Sequence, residues 1–219
     1  MLTVHHLEHS RSHRILWLLE ELEVEYEFQS YPRNPKTQLA PKELRDLHPL
    51  GKAPIVTHDG EVWAESGAVI ETLLDEFGEG RLRPAEGTPE FRRYRYWMHY
   101  AEGSAMAPLL LKTVFSELPK QGPALARPVL KAVAHTVDKE YIGGQVQLHV
   151  DYWEEELAER PFFAGEEFTA ADIQMSFPVV GAVERAGVQG EYPKVRAYVE
   201  RLKSRPAYQR AVEKGGPPV

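Results

Sequence analysis

Cysteine is absent from all 219 residues. That excludes a disulfide framework, a thiolate metal site and any mechanism in which the protein's own sulfur forms a mixed disulfide. No run is long and apolar enough to span a bilayer. Nor does a charged lead followed by a hydrophobic core and cleavage site stand at the N-terminus, so cytoplasmic residence is expected and no membrane partner is anticipated. No G-x-G-x-x-G or phosphate loop follows a strand, and G-x-S-x-G is missing, which removes nucleotide binding and a Ser-His-Asp hydrolase from consideration. Basic charge is scarce where a nucleic acid would need it. The formal charge is −7, and residues 1–80 hold seven basic and fifteen acidic side chains, a −8 that leaves +1 for the remainder. A phosphate backbone would be repelled, so no nucleic-acid partner is expected. Arg92, Arg93 and Arg95 are the nearest approach to a basic cluster and read as a solvated helix face. His5, His6, His9 and His13 are close in sequence, but a strand sends His5 and His6 to opposite faces and no H-E-x-x-H accompanies them, so no metal site is expected.

What is present suits a globular chain with a sizeable core: 42% apolar and 27% charged residues. The most informative stretch runs from Gly51 to Ser66. Pro54 opens it, Ile55 and Val56 are β-branched, Asp59-Gly60 is a two-residue turn, and Val62 and Trp63 return, which predicts a β-hairpin. Ala68, Val69, Thr72, Leu73 and Phe77 then recur with helical spacing. Glu65 and Ser66 therefore stand at a helix N-terminus, where free N–H groups and the positive dipole end hold either an ordinary cap or an anion such as a carboxylate. Upstream, Leu2, Val4 and His6 form a strand, Ile15, Leu18, Leu19 and Leu22 a helix stripe, and Tyr26 and Phe28 a second strand. Such a β-α-β unit favours parallel pairing. A connecting segment from Tyr31 to Leu50 leads to the hairpin.

This order, with Pro54 at the mouth of the third strand and Glu65-Ser66 at the last helix, resembles the N-terminal domain of cytosolic glutathione transferases. The likeness covers essentially the whole chain. It implies an α/β thioredoxin-like N-terminal domain over 1–80, a linker over 81–88 and an all-α helical C-terminal domain over 89–219. In the second domain, Thr88-Pro89-Glu90 reads as a helix start, and a long helical pattern from Phe91 to Leu118 is expected to kink or break at Gly103 and Pro108. Weaker patterns follow over 124–135 and 139–157. Phe168, Thr169 and Asp172 then give a staple and capping box before a helix over 173–185. Two terminal helices are read over 195–203 and 206–214.

The resemblance further implies that GKAPIV carries a cis-proline exposing the Ala53 backbone to the cysteine part of glutathione. Glu65 and Ser66 would hold its γ-glutamyl end and Lys52 a carboxylate. Glutathione is then a co-substrate and no cofactor is expected. A free thiol titrates near 8.5, so an enzyme using it gains by stabilising the thiolate. Ser10 occupies the place of the catalytic serine in theta-like members, Ser12 is a cap, and Arg14 also matches. Arg11 stands where a bacterial branch has its catalytic cysteine, and HSRSHRILWLLEEL with YAEGS is most similar to a fungal and bacterial branch in which backbone donors are an alternative. Tyr100 and Ser104, with Glu102 and Met106, fall on the helix that lines the electrophile pocket in this family. The expected activity is conjugation of the thiolate to a hydrophobic electrophile by a homodimer, with a glutathione-dependent peroxidase or dehalogenase, or a non-catalytic interaction or regulatory protein of the same fold, as alternatives.

Overall fold

The computed structural model describes residues 1–35, 37–187 and 190–218. Its first half is a four-stranded sheet in the order β2-β1-β3-β4. Strand β1 (Leu2–Leu7) runs parallel to β2 (Glu27–Tyr31) across helix α1 (His13–Leu22), and antiparallel to β3 (Ile55–His58), which pairs with β4 (Glu61–Ala64). Asp59 and Gly60 both have positive φ, 47° and 87°, the requirement of a type I′ hairpin turn. The stripe read in α1 is buried throughout, with Ile15, Leu18, Leu19 and Leu22 at 2% exposure or less.

The segment expected to be a plain connection holds a helix, α2 (Lys42–Leu47), in which only Leu44 is buried. Six residues with one apolar anchor are too few for a period to show. Helix α3 (Ser66–Phe77) closes this half, and residues 78–88 carry no helix or strand. They are pinned nonetheless: Ala170 N–H donates to the Leu82 carbonyl (2.8 Å), and Arg81 donates to the Leu22 carbonyl (3.2 Å).

The second half is helical. Helix α4 (Pro89–Tyr100) continues through a π-helical segment, Ala101–Ala105, into α5 (Met106–Gln121). The kink expected at Gly103 and Pro108 is thus a widened turn rather than a break. Met106 N–H bonds five residues back to Ala101, and Pro108, which has no N–H to offer the turn behind it, is accommodated just beyond. A second long run joins α6 (Arg127–Val137), a π-helical segment Asp138–Ile142 and α7 (Gly143–Glu159). Helix α8 (Ala170–Glu184) crosses the core, followed by α9 (Pro193–Lys203) and α10 (Pro206–Gly215).

The Thr169–Asp172 capping box forms. The fully buried Asp172 carboxylate accepts from the N–H groups of Thr169 (2.9 Å) and Phe163 (3.0 Å) and from the Tyr198 hydroxyl (3.1 Å). Burial still pushes its pKa up, to about 6, against those donors. Phe168 lies 5.5 Å from the ring of Trp17 on α1, so the start of α8 also fastens the two halves together. Helix α10 completes that contact. Tyr208 packs edge-on to Trp17 at 5.0 Å, Arg205 pairs with Glu21, and Arg210 and Lys214 pair with Glu20.

Candidate active site

Register places the predicted residues before any side chain is considered. His5 pairs with Ile55 and Ile55 with Ala64. Because β3 runs antiparallel to both neighbours, the turn after β1, the residues before β3 and the residues after β4 all emerge at one end of the sheet. Ser10, Ala53-Pro54 and Glu65-Ser66 are therefore gathered from three places in the sequence. The N-termini of α1 and α3 open at the same end and bring two positive dipole ends with them.

The Ala53–Pro54 bond is cis. Lys52 is exposed and, among the described residues, has no ion-pair partner; Arg45 lies against the neighbouring Gly51, whose φ is +55°. Glu65 has φ 72° and ψ 119°, a conformation that costs an L-residue of order 1–3 kcal/mol. The N-cap Glu65 makes no side-chain capping bond in α3, and among the described residues Ser66 makes none either, which argues against ordinary capping as the reason for the pair. Helix α3 is closed by the backbone instead, Val69 N–H to the Glu65 carbonyl at 2.9 Å.

The two serines have different fates. Ser12 is fully buried, whereas Ser10 keeps 7% of its surface. Ser10 Oγ is 2.7 Å from Ser12 Oγ and accepts from Ser12 N–H at 3.2 Å. Ser12 Oγ lies 2.9 Å from His6 Nδ1, and His6 Nε2 lies 2.9 Å from the Gly215 carbonyl at the end of α10. Ser12 stands behind Ser10. His5, on the other face of β1, is spent on Tyr31 Oη (3.0 Å) and Thr57 Oγ1 (3.1 Å). The turn before Ser10 is fixed by Arg33, which donates to the carbonyls of Glu8 (2.9 Å) and His9 (3.0 Å). Among the described residues, the N–H of Arg11 has no acceptor in the chain, so a backbone donor is free beside Ser10.

Arg11 and the fully buried Arg14 converge on Glu102, at 2.9 Å and 2.6 Å, and Arg14 also donates to Gln174 Oε1 (3.0 Å). Two guanidiniums on one carboxylate leave a surplus positive charge next to the Ser10 turn. Burial opposes ionisation of Glu102, but Arg14 and Arg11 prevail and hold its pKa below the ordinary value. Burial pulls Arg14 down, to about 10, which leaves it charged at neutral pH. Phe177 backs the cluster, 5.4 Å and 5.2 Å from the two guanidiniums.

Tyr100 and Ser104 are not with this group. They line a cavity of about 980 Å³ between α4 and α7, walled also by Arg92, Arg95, Tyr96, His99 and Tyr152, and no described residue of the sheet half contributes to it. The Tyr100 hydroxyl bonds to His149 Nδ1. Residues two apart on a helix point in roughly opposite directions, so Tyr100 and Ser104 face α7 while Glu102 faces α1. Arg93 is withdrawn from the solvated face read for it and donates to the Phe163 carbonyl (3.1 Å) and to Glu156. The sequence presents Glu102 only as one of four residues on a helix and His6 only as a strand residue, and it singles out Gly215 for nothing. Glu102 meets Arg14 88 residues away and His6 meets Gly215 209 residues away, and no local pattern encodes such contacts.

Residues 10–76 match the family described as Glutathione S-transferase, N-terminal domain, and residues 140–201 the corresponding C-terminal domain. The chain is 36% identical to Glutathione S-transferase 3 of Schizosaccharomyces pombe over 98% of its own length and 88% of that protein's. It is 31% identical to Glutathione S-transferase 1 of Saccharomyces cerevisiae, over 98% and 95%. Among solved structures, a glutathione S-transferase of Actinobacillus pleuropneumoniae superposes with a TM-score of 0.81 at 34% identity, covering 98% of this chain and 93% of that one.

Proposed function

Since the chain belongs to the glutathione S-transferase family and is a glutathione transferase, we propose that glutathione lies across the gathered end of the sheet with its thiol at Ser10. The γ-glutamyl end takes Ser66 and Glu65 at the start of α3, where N–H groups and the dipole favour its carboxylate. The Ala53 backbone meets the cysteinyl unit, and Lys52 the glycyl carboxylate. Residues 1–80 form the glutathione-binding domain, 81–88 the linker and 89–219 the helical domain. The product is the thioether formed by attack of the thiolate on an electrophilic carbon.

The observation that carries this placement is that, among the described residues, Lys52, Glu65 and Ser66 have no side-chain partner at the same end of the sheet where Ser10 keeps 7% exposure and Ser12 none. The surplus charge of Arg11, Arg14 and Glu102 favours the thiolate over the thiol, and the free Arg11 N–H gives a second donor. Tyr100 and Ser104 face away from that end. The electrophile is therefore placed against Arg11, Glu102 and Phe177, where it reaches sulfur at Ser10, and a homodimer in the cytoplasm is the working assembly.

Glutathione should raise the melting temperature, as any ligand selective for the folded state does. Ser66→Ala and Glu65→Ala should each shrink that rise without lowering the melting temperature of the free protein by more than about 2 °C, a change of about 0.5–1 kcal/mol for a chain of this size. Undiminished glutathione affinity in both variants would refute the placement.

A further inference from the structure

The cluster of Arg11, Arg14 and Glu102 is out of balance in two ways that its own residues do not repair. Two guanidiniums meet one carboxylate, so one positive charge is left over, and the remaining side-chain acceptor, Gln174 Oε1, is neutral. Donors are left over as well. Arg11 gives Glu102 only its Nε–H, shared between the two oxygens at 2.9 Å and 3.0 Å. The planar fork of its terminal nitrogens has no acceptor among the described residues. In Arg14, Nε and one terminal nitrogen are buried and equally without a partner there. Buried donors are almost always paired, and a buried charge this sparsely paired is costly unless something outside the cluster compensates it.

Position shows what that compensation is. Arg11 directly follows Ser10 and its side chain is 32% exposed. Phe177 on α8, only partly buried, stands 5.4 Å from the Arg11 guanidinium and 5.2 Å from that of Arg14. An electrophile that reaches sulfur at Ser10 along this wall displaces the water on the Arg11 fork. A neutral one leaves the fork desolvated and unpaired, which weakens binding. One that bears a carboxylate takes the fork in two parallel hydrogen bonds, the geometry a guanidinium is shaped for.

We propose that Arg11 selects electrophiles that carry a carboxylate on a flat, apolar body, with Phe177 against the body and the Arg11 fork on the carboxylate. This rests on the placement of the thiol at Ser10 and extends that reading to the second substrate: the hydrophobic electrophile expected from the sequence has an anionic end. Glutathione is itself anionic and repels such a compound in solution, so the surplus charge of the cluster contributes more to this reaction than to one with a neutral electrophile. Glu102 grips only the Nε of Arg11, which holds the side chain in place without consuming its fork. In the step, the sulfur electron pair forms the C–S bond and the leaving group departs with the electrons of the bond that breaks. The carboxylate is unchanged and no further reactant enters.

The test uses a matched pair, para-(chloromethyl)benzoate and para-(chloromethyl)benzamide, which share the reacting carbon, the leaving group and the ring and differ by one negative charge. For each, kcat/KM with glutathione is divided by the rate constant of the uncatalysed reaction at the same pH, which removes differences in intrinsic reactivity. The wild-type protein is expected to favour the benzoate by about tenfold or more on this measure. Arg11→Gln should bring the ratio to within about twofold of one, mainly by raising KM for the benzoate, and Arg11→Lys, which keeps the charge but not the fork, should fall between. Any loss of thiolate stabilisation in these variants, or any loosening of the contact with Glu102, lowers the rates of both compounds alike and cancels from the ratio. A wild-type ratio near one, which needs no variant to fold, or a preference that survives Arg11→Gln overturns the assignment. Conjugation of neither compound overturns it too, and a melting temperature that glutathione fails to raise then shows that the glutathione site has failed with it.

Discussion

Glu65 is the residue at which sequence and conformation disagree most. A non-glycine residue at φ 72°, ψ 119° is strained by of order 1–3 kcal/mol, and no side-chain bond within α3 offsets it. If the strain serves to aim the carboxylate at a ligand, glycine should relieve it. Glycine also gives the unfolded chain more freedom, worth about 0.5–1 kcal/mol. The net expectation for Glu65→Gly is a melting temperature equal to that of the wild type or up to about 10 °C higher, together with a smaller rise on adding glutathione. Calorimetric scans with and without glutathione check both halves, and a clear fall for the free protein would show that the strain belongs to folding rather than binding. At this scale Ser10, Lys52, Ala53, Glu65 and Ser66 were legible because each sits in a short local pattern, a turn before a helix or a hairpin before a helix. His6 was not, because what distinguishes it is a carbonyl 209 residues away.

Elements were read well where a full period could show, and poorly where it could not. The hairpin, the βαβ unit and the capping box each carry their chemistry within about a dozen residues. Helix α2 has one buried side chain, and the π-helical segment at Ala101–Ala105 is a response to packing and to Pro108 rather than a composition of its own. That segment has a consequence for the joint between the halves, since it presents Glu102 to Arg11 and Arg14. The Glu102 pKa is depressed in the folded protein, so its contribution is complete above the unfolded value near 4.5 and is lost as pH falls through the lower folded value. Glu102→Gln leaves Arg14 buried without a counter-charge. Because Glu102 itself is one-third exposed, the lower end of the penalty for breaking a buried pair applies, about 2–3 kcal/mol, or a melting temperature about 4–12 °C lower at pH 7. The gap between wild type and variant should narrow as pH falls below the unfolded value and through the lower folded one, and urea midpoints at pH 7 and at successively more acid pH measure it. Asp172, raised to about 6, titrates alike in both proteins and cancels from the difference. A gap that persists undiminished in acid would mean that the cluster acts through shape and not charge.

For the whole molecule the open question is what covers its surface. The chain exposes 11798 Å², against about 10,200 Å² expected for a compact monomer of its 24.9 kDa mass. The excess lies partly in the open groove between α4 and α7 and partly in apolar side chains left bare: Val62 on the edge strand β4, Tyr96 on α4, and Leu110 and Val114 one turn apart on α5, all above 40% exposure. Charge is divided as well, −8 over residues 1–80 and +1 over the rest. Arg92 and Arg95 line the groove and have no carboxylate partner among the described residues, whereas Arg93 is already spent on Glu156. These features suit a two-fold dimer that crosses the acidic sheet half of one chain with the α4 face of the other. Exposed ion pairs contribute little each and are screened by salt, so the apolar centre must supply most of the stability, and the dimer should survive about 0.5 M salt. A stable interface of this kind buries about 1,600 Å² in total. Light scattering at micromolar concentration should therefore give twice 24.9 kDa at low and high salt alike, and Val62→Asp together with Tyr96→Asp should shift it towards the single-chain mass. A single-chain mass for the wild type would refute the pairing while leaving the glutathione site of each chain as described.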